Sequence, residues 1–274
     1  MSAPATVFAN VRVEVRDAAA WVTLTRPERR NALSLELMQE TIAALRMVAA
    51  RDDVRAIVIA GEGPAFSAGH DLGEMVGRDR AFYDELFEVC TVLMETVHLV
   101  PQPVIARVHG IATAAGCQLV ASCDLAIAVV GARFATPGVK IGLFCSTPMV
   151  PLTRAIGRKR AFEMLVSGRP IDAATALDWG LVNRVVPENE LDAAIDELVA
   201  EIAQTSPVTV RIGKEAFYAQ LERDEHAAYE LMKDVMAANA GEDDAQEGMS
   251  AFLEKRVPVW GGGSSPDPAA PSVS

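Results

Sequence analysis

The sequence predicts an α/β fold made of repeated β-β-α-like turns and finished by a helical C-terminal region. Three observations carry that expectation. Short apolar runs alternate with amphipathic helical patterns from Val11 to about residue 130. Two of the strand-to-helix junctions, at 60–75 and 110–118, are glycine-rich turns. From Pro148 onward strand signals nearly vanish, apart from Leu181–Val186, and helical patterns take over. The expected organisation is a core over residues 1–200, a helical region over 201–260 and a tail over 261–274. The tail's Gly, Ser and Pro composition is that of a flexible segment.

Val11, Val13 and Val15 alternate with Arg12, Glu14 and Arg16, as in a half-exposed strand. Ala20–Thr25 alternates likewise, and the short break at Asp17–Ala19 predicts a hairpin. A polar loop with Arg26, Arg29 and Arg30 follows. Ser34 then caps a helix in which Met38, Ile42, Leu45 and Ala49 recur at helical spacing. Val54–Ile59 reads as a buried strand. Phe82, Leu86, Val89, Leu93, Val97 and Val100 mark a long helix that Pro101 stops. Val104–Val108 and Leu125–Val130 are strands on either side of the second turn and a short apolar helix. Helices are expected at roughly 149–166, 172–179, 188–204, 207–221, 224–240 and 244–255.

The formal net charge of −12 argues against non-specific affinity for nucleic acid or anionic membrane. An anionic ligand must therefore meet a local cluster of cations. Cys90, Cys117, Cys123 and Cys145 show neither metal-type nor disulfide-rich spacing, which fits reduced thiols in a cytoplasmic compartment. The most apolar window, 111–130, reads as a buried helix running into a buried strand rather than a membrane span. Neither G-x-G-x-x-G nor G-x-x-x-x-G-K-[ST] is present, so nothing supports dinucleotide or P-loop binding.

Both glycine-rich turns lead from a strand into a helix. Such junctions leave unpaired backbone N–H groups at the positive end of the helix, where they bind an anion or stabilise a carbonyl oxygen gaining charge. In the first turn, Asp71 with Glu74 three residues on marks the helix start. His70 can act through its N–H alone or also through its imidazole. Asp71 reads as a helix cap, and Gln118 as either a substrate or water ligand or a polar core residue. Cys145 is either a nucleophile or a small apolar filler, and no base stands beside it in sequence.

Phe66-Ser-Ala-Gly-His-Asp-Leu72 resembles the F-x-A-G-x-D-L run of the crotonase (enoyl-CoA hydratase/isomerase) superfamily. Gly110–Leu119 with Cys123-Asp124 is similar to that family's second turn, helix and following strand. Arg26–Leu33 resembles its early coenzyme-A loop, and Phe252–Arg256 its C-terminal F-x-E-K-R. The likeness runs in register from about Val7 to Arg256. It is closer still to one subgroup, the animal mitochondrial enoyl-CoA-hydratase-domain-containing proteins.

The resemblance implies a crotonase-like spiral of β-β-α turns with a C-terminal helical trimerisation region. It implies trimers or paired trimers, an acyl-CoA thioester as ligand, and no cofactor beyond the coenzyme A of the substrate. It assigns two oxyanion-hole N–H donors to His70 and Ala115, flanked by Ala68, Asp71, Leu72 and Gly116. It gives Arg26, Arg29 and Arg30 the CoA phosphates, and Phe252 and Lys255 an adenine pocket on a neighbouring subunit. Gly73 lacks the family's frequent lysine. The family's two glutamates map to Gln118 and Gly138, and Cys145 lies on a loop that would face the acyl carbon. Glutamine is no general base and glycine has no side chain. Since each acid/base group contributes about 10²–10⁴ in rate, efficient hydration is expected to be lost. The implied function is an enzyme of the hydratase/isomerase class, with a non-catalytic acyl-CoA-binding protein or a thioester hydrolase as the alternatives.

Overall fold

The computed structural model describes residues 6–261. The tail expected over 261–274 lies, beyond Gly261, outside the described residues. The chain divides into two compact units, one through Ile202 and one from Ala203.

The first unit opens with β1 (Thr6–Val7), β2 (Val11–Arg16) and β3 (Ala19–Leu24), followed by α1 (Leu35–Ala49) and β4 (Ala56–Gly61). Then come β5 (Ala65–Ser67), α2 (Leu72–Met75), α3 (Arg80–Leu99), β6 (Val104–Val108), β7 (Ile111–Thr113) and α4 (Ala115–Ser122). After β8 (Leu125–Val129) and β9 (Arg133–Ala135) follow α5 (Ser146–Ile156), α6 (Arg158–Ser167), β10 (Ile171–Asp172), α7 (Ala173–Trp179), β11 (Arg184–Val186) and α8 (Leu191–Ala203).

The larger sheet runs β1-β2-β3-β4-β6-β8-β11, antiparallel across β1, β2 and β3 and parallel thereafter. Every residue of β3 and β4 is buried, as expected where both faces are covered, while β6 and β11 each carry one partly buried arginine, Arg107 and Arg184. Leu37, Met38, Leu45, Leu86, Leu93 and Val97 of α1 and α3 belong to the same buried cluster as these strands. The hairpin appears as β2 and β3 in register Val13↔Val22. The Ser34 cap appears as well, its hydroxyl accepting from Leu37 N at 3.2 Å.

Two local expectations change. The helix expected over 149–166 is two helices, because Gly157 adopts φ 79°, ψ 159°, a conformation essentially restricted to glycine. The strand signal at 181–186 yields only Arg184–Val186, Leu181 and Val182 being buried outside it. A second sheet, β10-β9-β7-β5, was not foreseen. Its strands hold two or three residues each, too few to show a period of two.

Asn31 ties the arginine loop to this small sheet. It is fully buried with φ 51°. Its Nδ2 donates to Glu62 O (2.9 Å) and Ala65 O (2.8 Å), and its Oδ1 accepts from Arg26 N (3.0 Å). Asn31→Ala would strand two buried carbonyls and one N–H and should lower stability by about 3 kcal/mol. A urea midpoint shift at constant m-value is the readout.

The second unit contains α9 (Pro207–Leu221), α10 (Glu225–Gly241) and α11 (Asp243–Glu254). Buried Ser206 caps α9 and hydrogen-bonds Asp244, whose other oxygen accepts from Gly261 N at 2.9 Å. Glu247 is held down to about 2, first by Arg256 and then by the Val259 N–H. A depressed carboxylate supports the fold above its ordinary value and loses that role as pH falls through about 2. The Glu247 carboxyl resonance should therefore titrate near 2 in an NMR pH series, and move toward its ordinary value in Arg256→Ala, with the Val259 N–H keeping part of the depression.

Candidate active site

The site is organised by two short parallel strands. β5 and β7 pair with Ala65 opposite Ile111 and Ser67 opposite Ala112, so their C-terminal ends emerge side by side. Each feeds a helix, β5 through Ala68–Asp71 into α2 and β7 through Ala114 into α4. In open parallel sheets such paired C-terminal ends are where ligands settle.

Hydrogen bonding sets the direction of the first amide. Leu33 N donates to Gly69 O (2.7 Å) and Leu33 O accepts from Asp71 N (3.2 Å), a parallel bridge to His70. In that pattern the intervening His70 N–H points away from Leu33. Ala115 is the first residue of α4, so its N–H has no partner one turn back. Gly69 joins the two: at φ 87°, a Cβ built there would lie 2.7 Å from Ala114 Cβ, 2.9 Å from Thr113 O and 3.2 Å from Ala115 N. Gly116 is pressed as closely onto the Ser67 backbone. Ser67 is fully buried, and its hydroxyl donates to Asn31 O (2.8 Å) and accepts from Gly69 N (3.3 Å). Ala114 sits at φ 49°, ψ −120°, a strained backbone for a residue with a Cβ.

Around this junction the side chains are neutral or already engaged. Asp71 caps α2 through Gly73 N (3.1 Å) and pairs with Arg26 (3.1 Å), the two side chains 11% and 17% exposed. Arg26 also donates to Ala32 O at 2.8 Å. Arg26 is therefore a structural clamp, whereas Arg29 and Arg30 are exposed. Ala68 N donates to Arg30 O (3.0 Å), holding the arginine loop against the first turn, and Leu72 is half-exposed. Arg26→Ala would leave Asp71 nearly buried and uncompensated and should lower stability by about 3 kcal/mol, visible as a drop in Tm. Asp71→Asn in that background should recover most of the loss.

The His70 imidazole packs edge-on to Phe87 of α3, ring centroids 5.4 Å apart. Among the described residues, neither ring nitrogen reaches a partner in hydrogen-bond geometry. Burial pushes its pKa down, and the nearby Leu33 backbone only partly offsets this, so the ring is neutral at pH 7. Gln118, in the first turn of α4, is 4% exposed, and its Oε1 faces the Cys90 thiol at 3.8 Å. Gly138 is buried, and a Cβ there would run into the Leu143 carbonyl and lie 2.8 Å from Cys145 Sγ. Leu143 N in turn donates to Gly138 O at 3.0 Å. Burial raises the Cys145 thiol pKa, which removes the thiolate a nucleophile requires. Phe252, on α11, and Lys255, just after it, lie in the second unit, both exposed.

Thus Ala68, His70, Asp71, Ala115, Gly116, Gln118, Gly138 and Cys145 all lie in the first unit, with Arg26 locked against the first turn. Sequence reasoning missed three contributors. Ser67 is the plate on which Gly116 rests, Leu143 fills position 138 with main chain, and the Thr136 hydroxyl is buried without a partner. Only Thr136, a polar residue between an apolar strand and Pro137, left a sequence signal.

Strand, turn and helix here define an α/β protein whose two helix-start turns abut. The enoyl-CoA hydratase/isomerase family profile matches residues 14–263. Enoyl-CoA hydratase domain-containing protein 3, mitochondrial, of Homo sapiens is 48% identical over 242 residues, 87% of this chain and 79% of that one. The Rattus norvegicus protein of the same name is 46% identical over 246 residues, 89% and 82% of the two chains. A solved enoyl-CoA hydratase from Mycobacterium smegmatis superposes with TM-score 0.90 at 47% identity, covering 92% of this chain and 99% of that one. The solved human domain-containing protein 3 gives 0.89 at 45%, covering 92% and 100%. The chain belongs to the enoyl-CoA hydratase/isomerase family.

Proposed function

We propose that the protein binds an acyl-CoA thioester and polarises its carbonyl between the His70 and Ala115 N–H groups, stabilising the enolate that forms. The observation that carries this is the Leu33 bridge, which leaves the His70 amide pointing away from Leu33, together with the close packing of Gly69 on Ala115. One such donor is worth about 10²–10³ in rate. Coenzyme A enters as part of the substrate, its phosphates meeting the exposed Arg29 and Arg30. The apolar segment Val139, Ile141, Leu143 and Phe144, partly exposed beside Gly138, offers a surface for an acyl chain. Hydration through two glutamates is absent from this reading, because positions 118 and 138 carry none.

A panel of CoA thioesters, with binding read by calorimetry and products by mass, tests the proposal. Binding together with at least one converted thioester is expected. Failure of every thioester to bind would sink it. The non-catalytic alternative draws on the same blocked position 138 and requires binding with no product at all.

Exposed Phe217, Tyr229, Met236, Phe252 and Leu253 in the second unit support a trimer or a dimer of trimers, which mass photometry reads directly. The cysteines, none of them in a disulfide among the described residues, support cytoplasmic residence. Because several relatives are named mitochondrial, cell fractionation is the test. Among the described residues, no helix is long and apolar enough to cross a membrane.

A further inference from the structure

An oxyanion hole stabilises an enolate wherever its electrons come from. Proton abstraction from the α-carbon needs a base, and neither expected position supplies one. Gln118 is an amide facing Cys90, and position 138 is closed by the Leu143 carbonyl. Asp71, the carboxylate of the first turn, has one oxygen on Arg26 and the other on Gly73 N. A carbon–carbon bond can supply the same electron pair with no base.

We infer that this site catalyses loss of carbon dioxide from a malonyl-type thioester, a 2-carboxyacyl-CoA; the inference rests on the acyl-CoA reading above. The bond between the α-carbon and its carboxylate breaks, and its electron pair becomes the double bond of the thioester enolate. The negative charge moves from the carboxylate to the thioester oxygen between the His70 and Ala115 N–H groups. Neutral carbon dioxide leaves, and a proton from water adds to the α-carbon. One proton is consumed per turnover, and no oxidant, reductant or metal enters the balance.

Two features favour this substrate class. The first is charge. Two glutamates would repel a third carboxylate, whereas Gln118, Gly138 and the Cys145 thiol do not. The second is a set of unused donors. Both His70 ring nitrogens and the Thr136 hydroxyl are buried with no hydrogen-bond partner among the described residues. Buried polar groups ordinarily have partners, and a carboxylate accepts from both kinds of donor. The His70 ring, kept neutral by burial, carries one N–H close to the Leu33 backbone. The apolar side chains of Leu143 and Phe144 would thin the water around that carboxylate, which favours moving its charge to the preorganised amides.

The test uses the full chain with malonyl-CoA and methylmalonyl-CoA in heavy water, reading acetyl-CoA and propionyl-CoA by mass, and propionyl-CoA binding by calorimetry. Turnover with one solvent deuterium on the α-carbon is expected. Gln118→Glu should lower it by about tenfold or more through like-charge repulsion. Thr136→Val should raise the KM for methylmalonyl-CoA by about tenfold. Both variants should still bind propionyl-CoA, which also shows that they fold. If propionyl-CoA binds and both carboxylated thioesters are recovered intact, the decarboxylation inference falls while the acyl-CoA reading stands. If propionyl-CoA does not bind, both fall.

Discussion

Gly69→Ala should lower turnover of any acyl-CoA substrate by about 10²–10³-fold while leaving a folded protein. The expectation follows from where the new methyl would go. Gly69 has φ 87°, and an added Cβ would meet Ala114 Cβ at 2.7 Å, Thr113 O at 2.9 Å and Ala115 N at 3.2 Å. Two of those atoms are main chain, so the neighbour cannot swing aside as a flexible side chain would. The two turns must separate, and the amides at His70 and Ala115 would no longer converge as proposed. The same strain should reduce stability by about 1–3 kcal/mol. Single-turnover kinetics separate the chemical step from binding, and circular dichroism confirms the fold. A Gly69→Ala protein with unchanged turnover would show that the contact between these turns does not matter to the reaction.

Gly138→Glu should fail to restore hydration. The family comparison alone suggests that putting a glutamate back would recover a general acid or base worth about 10²–10⁴. The structure argues otherwise, because the Leu143 carbonyl occupies the space of the first side-chain atom and Cys145 Sγ stands 2.8 Å from it. Inserting a buried carboxylate there must push the segment 142–145 outward, at roughly 3 kcal/mol of stability. Crotonyl-CoA hydration, followed by loss of enoyl absorbance, should stay near background in Gly138→Glu and in the double variant with Gln118→Glu. A clear gain of hydratase activity in either would mean that the segment yields easily and that only the missing carboxyls silence the reaction.

Much of the site's chemistry was legible in the sequence. The apolar run Val54–Ile59 marks a buried strand and the Asp71 cap a helix start, but the strand leading into that helix is β5, inside the stretch read as a turn. The Gly110–Gln118 turn repeats it. That positions 118 and 138 carry glutamine and glycine, where the family resemblance implies glutamates, is legible because it is a matter of residue type. The small sheet of β5, β7, β9 and β10 was hidden, since strands of two or three residues are specified by their partners rather than by their own pattern. The break at Gly157 was hidden for a related reason: a glycine within a helical pattern is often tolerated, and only its dihedrals show that the chain turns there.

Arg26 illustrates the difference at one residue. The sequence shows three arginines in one loop, each as good a phosphate ligand as the next. The fold commits Arg26 to Asp71 and Ala32 O and leaves Arg29 and Arg30 exposed.

By itself the sequence determined most of the longer strands and helices and which functional groups the chain owns, because periodicity, caps and residue types are local properties. The tertiary structure alone decided that Leu33 bridges His70 and leaves its amide pointing away, that Gly69 and Gly116 bring the two helix starts together, and that Leu143 closes position 138. Those are contacts between segments tens of residues apart, and main-chain direction and the space left by a missing Cβ are set only when such segments pack.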